Sequence, residues 1–167
     1  MKNLMIIGFI GLAIGLTACK KNSEEGMTKM NIKITDSPGA YEAIYLSVKE
    51  IQVLTSEGTS TMPVGSSPFN ILNFRMGKDT LIASQDIPSG KIQEVRLVLN
   101  TTGNQVKVDG VIYPLTTPSG QTSGVKLKVQ ETLEAGIAYT LLLDFDAAKS
   151  VVQTGSSKYI LKPVIRA

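Results

Sequence analysis

The chain has 167 residues, no histidine, no tryptophan, one cysteine, and 17 basic against 14 acidic side chains, a net charge of +3. Without histidine, and with a single thiol, it cannot build a Ser-His-Asp or Cys-His arrangement, a zinc site of the usual His/Cys composition, or an internal disulfide. The near-neutral balance, with no basic cluster interleaved with stacking aromatics, argues against nucleic acid as a partner.

Lys2 is followed by an uncharged apolar stretch, Leu4 to Leu16. Thirteen residues of helix at about 1.5 Å each reach roughly 20 Å, short of the ~30 Å hydrocarbon core, so the stretch reads as a signal-peptide core and not as a permanent span. Next comes Leu16-Thr17-Ala18-Cys19, a large apolar residue, two small ones and a cysteine, which is the pattern of the lipobox read by bacterial lipoprotein-processing enzymes. The expectation is a signal peptide of residues 1–18, cleavage between Ala18 and Cys19, and lipid, palmitate included, on Cys19. An incidental cysteine beside an ordinary secretory cleavage site is the alternative. Three acyl chains on the new terminus exceed the two that stable anchoring takes, so the membrane is the expected partner and the covalent lipid the only cofactor.

Removing residues 1–18 leaves 149 residues and takes away only Lys2 among charged groups, so the net charge falls to +2. One domain is expected at that length. Residues 19–28 form the expected tether, because Lys20 to Gly26 is a polar run that cannot pack. Fully extended, it reaches on the order of 25 Å. Lys20, not Asp, follows the cysteine, unlike an inner-membrane retention signal, and Glu24-Glu25 resembles the acidic stretch that marks surface export in some bacterial lipoproteins. The expected address is the outer membrane, facing the periplasm or the cell surface; for these charges a solvated linker is an equal alternative.

Residues 29–167 read as strands separated by turn chemistry. Met30, Ile32 and Ile34 alternate with polar neighbours until Asp36-Ser37-Pro38-Gly39 breaks the run. Tyr41 to Leu54 predicts one strand with a bulge or two in succession, since its apolar phase changes near Glu50. Ser56 to Pro68 predicts a hairpin loop with a short central strand, and Phe69 to Met76 fits strand or helix equally well. Leu81 to Ile87, a turn at Pro88-Ser89-Gly90, and Lys91 to Asn100 follow. Val106 to Val108, Asp109-Gly110 and Val111 to Tyr113 predict a hairpin on a type I′ turn. Beyond a Thr116–Gly124 loop lie candidate strands at Val125–Val129, Tyr139–Phe145 and Tyr159–Ile165. Eight to ten short strands without intervening helices predict an all-β, single antiparallel β-sandwich or barrel.

The chain also resembles a bacterial lipoprotein family catalogued as domain of unknown function 4382. The resemblance runs from about Met30 to Ala167 and rests on Ile34-Thr35-Asp36-Ser37-Pro38, Ile87-Pro88-Ser89-Gly90, Thr117-Pro118-Ser119-Gly120, Leu143-Asp144-Phe145-Asp146 and Leu161-Lys162-Pro163-Val164-Ile165. It implies an exported β-sandwich similar to transthyretin-like or carboxypeptidase-regulatory-like modules, and no established activity; the expected fold class is a transthyretin-like or immunoglobulin-like sandwich.

Asp144 and Asp146 are the best carboxylate pair, on one strand face about 6–7 Å apart. Hydrogen bonding within the fold is the leading expectation for them; a calcium site, which takes six to eight oxygens, and glycosidase chemistry are the alternatives. Asp36, two residues before Pro38, is expected to close an Asx-turn. Arg96 interrupts an apolar strand and is expected in solvent, or paired with a carboxylate such as Asp144 if it faces the core. The tyrosines are expected at the core edge, although a pair on neighbouring strands would revive sugar stacking. The expected function is non-catalytic binding of a protein or glycan through the loops Ser56–Pro68 and Thr116–Gly124. A hydrolase using Asp144 and Asp146, and a subunit of a surface fibre, are the alternatives.

Overall fold

The computed structural model describes residues 26–37, 39–65, 67–117 and 123–167. Ala18, Cys19 and most of the tether lie outside the described residues, as do Pro38 and residues 118–122 of the Thr116–Gly124 loop. No helix among the described residues is long and apolar enough to cross a membrane.

The strands are β1 (Met27–Ser37), β2 (Ala43–Leu46), β3 (Val48–Thr55), β4 (Gly58–Pro63), β5 (Phe69–Asn70), β6 (Thr80–Pro88), β7 (Gly90–Leu99), β8 (Gln105–Val108), β9 (Val111–Thr116), β10 (Val125–Leu127), β11 (Thr132–Leu133), β12 (Tyr139–Asp146), β13 (Val151–Gly155), β14 (Lys158–Leu161) and β15 (Ile165–Arg166). They form three sheets, ordered β15-β12-β1-β6, β10-β7-β3-β4 with β11 also on β7, and β13-β14-β9-β8-β2-β5. The domain is all-β and sandwich-like. Two ladders, β1–β12 and β14–β9, are parallel, a departure from a purely antiparallel sandwich. In both, the intervening chain is long enough to return in the same direction, which a hairpin cannot do.

The first described strand begins at Met27, two residues before 29, the expected start of the domain. Met27 and Thr28 already pair with Pro88 and Ile87, Thr28 is buried with its hydroxyl donating to the Ile137 carbonyl, and the Gly26 carbonyl accepts from the Ser89 N–H at 2.7 Å and Oγ at 2.6 Å. Along β1 the even positions Met30, Ile32 and Ile34 are buried, and the odd ones Lys29, Asn31 and Lys33 face outward.

Both readings of Tyr41–Leu54 are realised. The segment splits into β2 and β3, which belong to different sheets, and the β3–β7 ladder is bulged, Val48 facing Leu99 and Glu50 facing Val98 with Lys49 extra. Pro88-Ser89-Gly90 is likewise a corner between sheets. Gly90 sits at φ +151°, and a Cβ there would lie 2.8 Å from Ser56 Oγ. Asp109 and Gly110 form the β8–β9 turn at φ 49° and 78°, as a type I′ turn requires. Phe69–Met76 is strand and helix in succession, β5 running into a 3-10 turn at Ile71–Phe74 capped by Asn70 Oδ1.

Against the expected eight to ten strands, the described residues form fifteen. Val125–Val129 is strand only to Leu127, Tyr159–Ile165 breaks after Leu161 and resumes at Ile165, and β11, β13 and the short helix α1 (Ala147–Ser150) had no expectation. Pieces of two to five residues carry too few apolar alternations to show a period. The inward side chains join one core that includes Met30, Ile32, Ile34, Ile51, Leu97 and Phe145.

Candidate functional site

β1 links two ends of the domain. Its first residues, with Pro88, Ser89, Gly90 and the β11 pairings to Gly90 and Lys91, mark one end, the end at which the expected tether of residues 19–28 would join. Eleven extended residues at about 3.3 Å each place its last residues roughly 35 Å away. At that far end the parallel partner β12 finishes alongside, with Thr35 facing Asp144, Asp36 facing Phe145 and Ser37 facing Asp146. The ladder thus gathers Asp36, Asp144 and Asp146 from segments more than a hundred residues apart.

Asp144 and Asp146 share the outer face. Asp144 Oδ1 accepts from Ser37 Oγ at 2.8 Å, and its Oδ2 lies 3.7 Å from Arg166 Nε. Asp146 caps α1: Oδ1 accepts from the Lys149 N–H at 3.1 Å, while Oδ2 meets Lys149 Nζ at 2.6 Å and Arg166 Nη2 at 3.9 Å. Lys149's ammonium, then its backbone N–H, holds Asp146 below the usual carboxylate range, with Arg166 adding to the effect.

Asp36 does not form the expected Asx-turn. β1 stays extended through Ser37, so its side chain points across to the neighbouring strand end, where Oδ1 accepts from the Ala147 N–H at 3.2 Å. Its other oxygen, Oδ2, is buried and has no partner among the described residues. Burial pushes Asp36 up to about 6, against the lowering by the Ala147 N–H and Arg75, and Asp144 and Asp146 raise it further.

Arg96 stands apart from this cluster. It lies on the outer face of the β10-β7-β3-β4 sheet, beside Gln52 and Lys126 in register, and its Nε donates to Glu94 Oε1. The strand alternates around it, with Val95 and Leu97 buried, which is why it needs no partner from β12. A tyrosine pair on neighbouring strands is present, Tyr113 and Tyr159 with ring centroids 5.2 Å apart. Tyr159 is buried opposite Leu115, so its ring serves mainly packing. Together with Pro114, Thr116, Lys158 and Ile160, Tyr159 lines a cleft of about 330 Å³, but Tyr113 does not, so no ring pair is presented there.

The Ser56–Pro68 segment divides between the two ends. Ser56 N–H donates to the Lys91 carbonyl at the tether end, while Ser67 Oγ accepts from the Val48 N–H at the far end. Among the described residues no group of three or more Asp, Glu, His or Cys side chains is arranged to hold a metal ion.

Sequence reasoning missed the cations of the far end. Lys149, three residues after Asp146 and behind two alanines, carried a readable helix-start signal; Arg166 carried none, because only the sheet order brings it to β12. The family model for "Domain of unknown function (DUF4382)" matches residues 27–163, from the first residue of β1 to the loop before β15. The chain belongs to the DUF4382 family. That stretch of the DUF4382 domain holds Asp36, Asp144, Asp146 and Lys149, and leaves out Arg166. No curated protein and no solved structure matches the chain.

Proposed function

We propose that this DUF4382 protein is a lipoprotein of the outer membrane, anchored through acylated Cys19, whose β-domain holds a protein or glycan ligand at its far end and carries out no catalysis. The observation that carries the reading is the direction of β1. It starts eight residues after Cys19 and leads straight to the end bearing Asp36, Asp144, Asp146, Lys149 and Arg166, so a short tether turns that end away from the bilayer. The carboxylates support holding over catalysis: the Asp144 and Asp146 oxygens are taken up by Ser37, Lys149 and Arg166, which leaves neither poised as a free base or nucleophile.

Growth with labelled palmitate tests the anchor. Label and membrane fractionation are expected for the native chain and lost in Cys19→Ala; retention of both in the variant overturns it. A photoreactive residue at position 67 is expected to capture envelope protein or glycan, whereas one at position 57, at the tether end, is not. Equal capture at both positions overturns the far-end reading.

A further inference from the structure

We infer that the tether end of the domain seats directly on the bilayer, with Met27 and Ile137 entering the boundary between headgroups and acyl chains. The inference rests on the Cys19 anchor proposed above. Met27 is 50% and Ile137 47% exposed. They are fixed together at this end: Gly136 N–H donates to the Met27 carbonyl at 2.9 Å, and Thr28 Oγ1 donates to the Ile137 carbonyl. Isolated exposed apolar residues need no partner, but these two lie together where the chain leaves for Cys19, eight residues before Met27. Eight residue steps from Cys19 to Met27 span at most about 29 Å, so this end cannot stand farther than that from the acylated cysteine. A lipid surface is therefore the one surface always within reach.

Charge says how the contact is made. The same end exposes Glu57, Asp86, Glu131 and Glu134 against Lys29 and Lys91, a net negative balance that anionic headgroups do not attract. Apolar insertion must hold the contact, so it should be insensitive to salt.

The test uses the full acylated chain, whose Cys19 sulfur is blocked, with an Ile137→Cys probe carrying an environment-sensitive fluorophore, in phosphatidylethanolamine–phosphatidylglycerol vesicles doped with spin-labelled lipid. The control probe is Met76→Cys, an even more exposed apolar position beyond the far-end 3-10 turn. Quenching at 137 is expected to exceed that at 76 by at least about twofold and to survive high salt. With the probe moved to Met27→Cys, adding Ile137→Asp should lower quenching while flotation with the vesicles persists. Flotation with equal quenching at 137 and 76 overturns the seating and leaves the anchor standing. Loss of flotation together with absence of palmitate overturns both.

Discussion

Replacing Asp36 by asparagine removes an ionisable group from a position only 4% exposed while keeping the side-chain shape and the acceptor for the Ala147 N–H. In the folded chain burial raises this carboxyl from 3.8 to about 6, so between those values the native state binds a proton that the unfolded state has released. The contribution of Asp36 to stability is therefore fully present below about pH 3.8 and lost as pH rises through 6. At ~1.4 kcal/mol per pH unit, the loss amounts to about 3 kcal/mol. The Asp36→Asn chain has no such dependence. Urea unfolding of the Cys19→Ala chain, with and without Asp36→Asn, should show the parent losing about 2 kcal/mol relative to the variant between pH 4 and 7, most of the full amount. The variant's own offset, set by whether its new amide donor finds a partner in place of Oδ2, does not enter this difference. A gap that stays flat with pH, or one of opposite slope, would show that Asp36 is not a buried carboxyl with a raised affinity for its proton.

Phe145→Ala empties a fully buried position and should cost about 3–5 kcal/mol by the same denaturation assay. Gly90→Ala forces a side chain into a φ of +151° and against Ser56 Oγ, so a loss of about 1–3 kcal/mol is expected, partly recovered by adding Ser56→Ala. Asp146→Ala removes the cap of α1 and the partner of Lys149, and should lower stability by about 1–2 kcal/mol. Arg96→Ala, which gives up one partly exposed pair with Glu94, should stay within about 1 kcal/mol, and a larger loss would show that Arg96 has a structural role beyond that pair.

Local signals translated well wherever a few adjacent residues decide the outcome. The Asp109-Gly110 turn, the alternation of β1 and β7 and the phase change near Glu50, which the structure realises as the extra residue Lys49, are all written in neighbouring side chains. The parallel β1–β12 ladder is not, because no turn residue encodes a pairing of strands more than a hundred residues apart. That one ladder explains why Asp36 has the sequence context of a turn residue and is instead a buried carboxyl at a strand end. It also explains why Asp144, singled out with Asp146 as a pair, needed the structure to reveal Ser37 as a partner, while Arg166 comes to both through the separate β12–β15 pairing. Arg96 illustrates the converse. Its charge within an apolar run leaves a core ion pair open, and strand alternation alone puts it on the outer face.

The most direct check of the account is the mass of the amino-terminal peptide of the protein purified from membranes. The expected peptide begins at Cys19 and carries diacylglycerol on its sulfur, with an added fatty acid on its amino group. A chain that retains residues 1–18, or begins at Cys19 with a free thiol, would contradict it.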